Sequence, residues 1–348
     1  MAIDETKWKS VERAMLDLAP IIRDAKAEIV INRPGEVLLE VPGGWETRAL
    51  ESLTYDRLMT IASTIATATK QTINPERPVL STSLATGERV QIVIPPAVEA
   101  GTVSMVFRKP ITKDVPYEAY RTGGFFDGAR RSGGLTETMT DHPALLPHER
   151  ELAKVFASGD LGDFFPRAVL ARQNIVVSGP TGSGKTTFMK SIANLIPSAE
   201  RLVTIEDAQE LRLPDHQNKV HLFYSRGDQG LSKATAKDLL EATLRMYPSR
   251  VLLAELRGEE AWYYIRNVMS GHPGSITSMH ASDELTVFDQ LTLLIKESAA
   301  GATIAREDLK AMLFGAIDVS LQVEKTPAGR RCVGVYYNPL RKRGIYVE

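Results

Sequence analysis

Cysteine is all but missing: Cys332 is the single one in 348 residues. That excludes an internal disulfide and leaves any zinc centre without a set of thiolate ligands. An excess of one charge sign is missing too, with 42 Lys and Arg against 43 Asp and Glu. Nothing in so balanced a charge argues for a nucleic-acid coat protein or an acidic tail, so a polyanion site has to be local. No run approaches the roughly 18 uninterrupted apolar residues that cross a bilayer. The opening, MAIDETKWKS, lacks the basic lead and apolar stretch of a secretory signal. Membrane contact is therefore expected to be peripheral and residence cytosolic. There is no internal repeat and no low-complexity tract. Cys332 itself, in the strand-like run RCVGVYYNP, reads as a small buried apolar residue and not as a reactive thiol.

What is present is length enough for two cores. AEIVINRPGEVLLEV sets two β-rich runs around Arg33-Pro34-Gly35, which is turn chemistry and predicts a hairpin. TYDRLMTIASTIATATK then places Leu58, Ile61, Ala62, Ile65 and Thr69 on one helical stripe, and RVQIVIPP and TVSMVFRKP read as strands closed by proline. Residues 1–120 are thus expected to form an α+β domain, a small sheet with helices on one side. Residues 121–147 are rich in Gly, Thr, Asp and Pro without a sustained period. They are expected to be a linker that lets two halves move. From 148 to 348 helices alternate with short, almost wholly apolar runs: NIVVS, RLVTIE, RVLLAE and SITSMH. Such runs belong to a mostly parallel sheet covered on both faces, so the expected class is α/β.

VSGPTGSGKTTF follows the first of those runs and opens a helix. Gly179-Pro180-Thr181-Gly182-Ser183-Gly184-Lys185-Thr186 matches the phosphate-loop pattern G-x-x-x-x-G-K-[ST] in the strand-to-helix context that the pattern requires. Gly182 and Gly184 let the backbone approach phosphate without a Cβ, so that N–H groups and the helix dipole point inward. Lys185 would bridge the outer phosphates, the Thr186 hydroxyl would be a magnesium ligand, and Thr187 extends the binding stretch. By itself the loop identifies a nucleoside triphosphate, with Mg2+, and says nothing of the work done; ATP is the expected nucleotide.

Carboxylates recur where the apolar strands end: Glu206 and Asp207 in RLVTIEDAQEL, Glu255 in RVLLAELRGEEA. That edge is where α/β sheets gather ligands. Hydrolysis needs one carboxylate for the metal and a polar group to align water. Glu255 is the first candidate for polarising water and Glu206 for supporting metal and water, although spacing alone does not divide the roles. SGHPGSITSMHAS offers His272 and His280 without zinc spacing, and His280, at a strand end, is a candidate phosphate sensor. Arg245, Arg250 and Arg257 lie near the same strand, and a guanidinium suits charge on a transferring phosphoryl group.

In order, GPTGSGKTT, TIEDAQEL, LRMYPSRVLLAELRGEEA and SGHPGSITSMHA resemble the Walker A, Asp-box, Walker B and His-box series of the secretion traffic ATPases. EIVINRPGEVLLE, INPERPVLSTSLATGERVQIVIPP and VSMVFRKP resemble the N-terminal domain of the type IV secretion and conjugation branch. Ala254 stands where that family commonly has glycine, and the tetracysteine insert of many pilus and type II members is absent. The resemblance implies a RecA-like ATPase domain, a homohexameric ring and nucleotide bound between the two domains of a subunit. Arg108 matches an N-terminal arginine that reaches the nucleotide, with Arg121 as a further candidate. It also implies a cytoplasmic protein held peripherally at the inner membrane, with other secretion ATPases and a coupling protein as partners. The work implied is conjugative DNA or protein transfer and pilus biogenesis.

The expected mechanism is ATP hydrolysis coupled to domain closure and reopening. Two other readings share the phosphate loop. A RecA-like helicase would need an aromatic and basic groove that the sequence does not display, and the closing RKRG is a short patch; direct contact with nucleic acid is left open. A nucleotide-switched scaffold with little turnover is opposed by retention of both Glu206 and Glu255, and a phosphate-loop kinase by the lack of an acceptor lid.

Overall fold

A computed structural model describes residues 5–25, 28–41, 43–109, 114–224 and 233–345. They fall into two compact units, one of residues 5–109 together with Lys233 and a second of residues 114–224 and 234–345.

The first unit contains α1 (Glu5–Ala14), α2 (Ala19–Asp24), β1 (Ile29–Ile31), β2 (Glu36–Val41), β3 (Gly44–Ala49), α3 (Tyr55–Ala68), β4 (Val79–Ser83), β5 (Arg89–Val93) and β6 (Ser104–Arg108). The strands form one antiparallel sheet in the order β3-β2-β1-β6-β5-β4. The Pro-Gly turn makes the expected hairpin, with Ile29 opposite Leu39 and Gly35 at φ +85°. Burial alternates along β2, β5 and β6, so Val37, Leu39, Val90, Ile92, Met105 and Phe107 share one core face. Leu58, Ile61, Ala62 and Ile65 of α3 enter the same core, while Thr69 is the residue that ends the helix. Thr54 starts it by accepting the Arg57 N–H at 3.2 Å. β3 was not foreseen: all six of its residues are exposed, so backbone pairing to β2 makes it a strand and no burial pattern marks it.

The second unit contains α4 (Tyr117–Thr122), β7 (Arg130–Ser132), α5 (Pro147–Ser158), α6 (Leu161–Leu170), β8 (Ile175–Ser178), α7 (Lys185–Ala193), β9 (Leu202–Glu206) and β10 (Lys219–Phe223). It continues with α8 (Ala236–Thr243), β11 (Arg250–Leu256), α9 (Glu260–Met269), β12 (Ile276–Met279), α10 (Thr286–Glu297), α11 (Arg306–Ala316), β13 (Val319–Thr326), β14 (Gly329–Tyr337) and α12 (Pro339–Lys342). The sheet runs β10-β9-β11-β12-β8-β13-β14-β7, parallel throughout except between β13 and β14. Every residue of β8, β9 and β12 is buried, as helices on both faces require of continuous apolar strands. The α/β class with a mostly parallel sheet is the one expected.

Residues 121–147 are not a free linker. β7 pairs in parallel with β14, Phe125 and Leu145 belong to the core of the second unit, and the Phe125 ring stacks on Phe188 of α7 at 5.0 Å. The glycines and prolines that suggested a linker serve turns between these anchors, and a three-residue strand leaves too short a pattern to read.

Cys332 lies in β14, 1% exposed, and burial pushes its thiol up to about 12. A disulfide reagent such as Ellman's is expected to find no thiol in the native protein and one after denaturation. Stoichiometric labelling before unfolding would contradict this packing.

Candidate nucleotide-binding site

Four neighbouring parallel strands, in the order β9-β11-β12-β8, bring their carboxyl ends together. Each carries one part of the site: Glu206 ends β9, Glu255 lies one residue before the end of β11, His280 follows β12 and the glycine loop follows β8. Ser178, the last residue of β8, has its Oγ 2.8 Å from Leu321 O and 2.6 Å from Gln322 Oε1. The Gln322 amide donates in turn to the carbonyls of Ala281 and Ser282, both at 3.2 Å. The loop and the segment bearing His280 are thus tied to one strand, β13.

Gly179, Gly182 and Gly184 have φ of +148°, +75° and +101°, a run of left-handed positions that turns peptide N–H groups to one side. A Cβ on Gly179 would stand 2.1 Å from Val323 O, whereas one on Gly182 would meet nothing within 4 Å. The loop is therefore closed against β13 on one side and open on the other. Pro180 and Thr181 are exposed, Ser183 is buried, and Thr186 and Thr187 are half-buried on the first turn of α7. The first N–H groups of that turn have no partner within the helix, as at any helix start.

Lys185 begins α7 and is only 7% exposed. Its ammonium donates to the carbonyls of Gly179 at 2.7 Å and Pro180 at 3.0 Å, and lies 3.3 Å from His280 Nδ1. His280 Nδ1 is 3.0 Å from Gly179 O, and Nε2 is 2.9 Å from Glu255 Oε1. The other Glu255 oxygen accepts from Arg257 Nη2, and Arg257 Nη1 lies 3.8 Å from Asp207. Lysine, imidazole, carboxylate and guanidinium form one continuous line from the loop to the end of β11. Ala254 is buried there and its carbonyl accepts from Ser278 Oγ at 2.7 Å, so a methyl group is accommodated in place of glycine.

Glu206 departs from expectation. It is fully buried, with Oε1 accepting from Thr204 Oγ1 at 2.8 Å and lying 3.3 Å from His221 Nδ1. Oε2 accepts the N–H groups of Glu210 and Leu211, both at 2.7 Å. A carboxylate so saturated has no lone pair facing a metal or a water; it pins the loop after β9. The motif placed it at the right strand end but could not show which way it turns.

The arginines separate. Arg245 and Arg250 sit at the amino end of β11, where Arg201 Nε donates to Met246 O at 3.0 Å and Ser249 N to Arg201 O at 2.8 Å. The seven residues of β11 put that end about 20 Å from the loop, so within one chain neither reaches it. Arg250 is fully buried on Glu200, and His272 precedes β12 at the same far edge. Arg121, on α4, is 3.5 Å from Glu118 and lines a separate cavity of about 380 Å³ with Phe126 and Asp160. Arg108 ends β6 of the first unit, 3.4 Å from Glu28. Sequence reading missed His221, Gln322 and Arg330; the last donates from Nε to Gly182 O at 3.3 Å from a hairpin nearly 150 residues downstream.

Residues 156–313 match the family described as type II/IV secretion system protein. The type IV secretion system protein VirB11 of Bartonella quintana is 42% identical over 321 residues, 92% of this chain and 90% of that one. VirB11 of Brucella suis is 40% identical over 345 residues, 97% and 93% of the two chains. The chain belongs to the VirB11 family of type IV secretion ATPases. The crystal structure of the Brucella suis VirB11 ATPase in complex with sulphate matches over 97% of each chain at 40% identity, with a TM-score of 0.55. The family's members are ATPases.

Proposed function

We propose that the chain powers type IV secretion by hydrolysing ATP at the Gly179–Thr187 loop. The observation that carries this is the unbroken contact line from Lys185 through His280 to Glu255. A buried ammonium that donates to carbonyls of its own loop and lies against an imidazole gains from exchanging those neutral partners for phosphate oxygens, because charge-assisted bonds are the stronger ones. Lys185 would release Gly179 and Pro180 for the outer phosphates, and His280, left with a changed partner, would pass that change to Glu255. Glu255, once Arg257 leaves Oε2, would orient water and accept its proton. Arg257 thereby holds the carboxylate away from water until the loop is filled.

Magnesium fits the oxygen donors that remain. The Thr186 hydroxyl would hold it, with Glu255 acting on it only through the water it orients, and when bound it would neutralise charge on the phosphate oxygens. Glu206 drops out of that set for the reason given above, and no group of three or more acidic, His or Cys side chains among the described residues forms a complete cage.

The assembly is part of the same proposal: six copies in a closed ring, on the cytoplasmic face of the inner membrane, working with other secretion ATPases and a coupling protein in DNA or protein transfer and pilus assembly. Family membership supports it. No helix among the described residues is long and apolar enough to cross a membrane, so attachment would be peripheral. Arg108 and Arg121 enter as nucleotide ligands through the motif match alone.

Steady-state phosphate release tests the reading. Lys185→Gln is expected to cut turnover about 10²–10³-fold, and native mass with nucleotide is expected at six chains. Equal and negligible rates in parent and variant would favour a switched scaffold instead.

A further inference from the structure

Arg330 is the second residue of β14, directly after Gly329, whose φ of +103° makes the turn from β13. Sheet register fixes its place. β13 lies parallel to β8 with Gln322 opposite Ser178, and Val323 O blocks any Cβ on Gly179. The hairpin therefore presses on the glycine loop at its base, and Arg330 covers it further out. There its Nε reaches Gly182 O at 3.3 Å, and its Cδ lies 2.8 Å from where a Cβ on Gly184 would stand. Gly184 is thus required twice, for its positive φ and for the passage of this side chain.

The contact is a weak one for a guanidinium. In the same unit Arg130, Arg250 and Arg257 each hold a carboxylate, whereas Arg330 is exposed and none of its partners among the described residues is one. Its charge is also felt by Tyr120, where it opposes the burial that pushes that phenol up to about 12. An uncompensated cation thus stands over the open side of a loop shaped for phosphate.

We propose that Arg330 is a nucleotide-binding residue, whose guanidinium leaves the Gly182 carbonyl to grip a phosphate oxygen of the bound nucleoside di- or triphosphate. The planar fork suits that oxygen better than a single neutral carbonyl. The β13–β14 hairpin then acts as a clamp on the filled loop. The inference rests on the nucleotide site proposed above.

Calorimetric titration of ADP into the full chain, at two salt concentrations, tests it with Arg330→Ala, Arg330→Lys and Lys185→Gln beside the parent. Arg330→Ala is expected to weaken ADP about 10- to 100-fold, to reduce the salt dependence of binding, and to keep the parent's melting temperature because the side chain is exposed. Arg330→Lys should recover part of the affinity. Parent-like binding by Arg330→Ala while Lys185→Gln is weakened would overturn the clamp and leave the nucleotide site standing. Equal weakening by Ala and Lys with a lowered melting temperature would also overturn it, as a packing role. No heat from the parent would remove the nucleotide site itself.

Discussion

Glu255→Gln is expected to slow ATP hydrolysis about 10²–10⁴-fold and to leave ATP binding in place. The carboxylate lies at the end of the contact line from Lys185, with one oxygen 2.9 Å from His280 Nε2 and the other on Arg257. Glutamine keeps the size and one acceptor but cannot take a proton from water, so the loss should fall on kcat. Glu206→Gln separates the two acids. Glu206 accepts two backbone N–H groups with one oxygen, and an amide placed there either loses an acceptor or turns a donor against them. The expected result is a stability loss of about 1–3 kcal/mol, with turnover per folded molecule near the parent's. Single-turnover kinetics and melting curves on both variants decide the matter. A slow Glu206→Gln enzyme with an unchanged melting temperature would return Glu206 to the catalytic set.

Arg250→Ala should be the most destabilising of the changes considered, by about 3–5 kcal/mol, while its effect on nucleotide affinity stays small. Arg250 is fully buried, donates to Glu200 through Nε at 2.9 Å and Nη2 at 2.7 Å, and caps Val169 O at 2.7 Å. It ties the start of β11 to the end of α6 and to the segment before β9. Removing it strands a largely buried carboxylate, whose remaining cation is Arg172 at 2.6 Å. The hydrogen bond from Arg250, with the charges of both arginines, holds Glu200 below the usual carboxylate range against desolvation. A depressed carboxylate contributes stability above its unfolded pKa, and that contribution is lost as pH falls through the folded one. The parent should therefore shed this increment in acid below the ordinary glutamate range, and Arg250→Ala should show a flatter acid limb. Urea melts across pH measure both. Loss of turnover in a variant as stable as the parent would mean that Arg250 acts in catalysis.

The parts of the site that lie within one strand and its following turn were legible: loop, lysine, Glu255 and His280 each follow an apolar run whose end the sequence marks. Parallel strands place such ends at one edge, so order along the chain was enough to gather them. Arg245 and Arg250 misled because they precede the same strand that Glu255 ends, and a few residues of extended chain separate opposite edges. The segment 121–147 misled in another way. Phe125 and Leu145 are single anchors among turn residues, with no period to reveal them.

The sequence by itself determined the family, the mostly parallel sheet and the glycine loop that leads from a strand into a helix, because these depend on local pattern: apolar runs, glycine spacing, a lysine at a helix start. Tertiary structure alone decided that Glu206 is consumed by its own loop, that Glu255 is held between His280 and Arg257, and that Arg330 covers Gly182. Those outcomes depend on which way a side chain turns and on which distant strand lies beside it. Both are fixed by packing and sheet register, and neither leaves a trace in the spacing of residues along the chain.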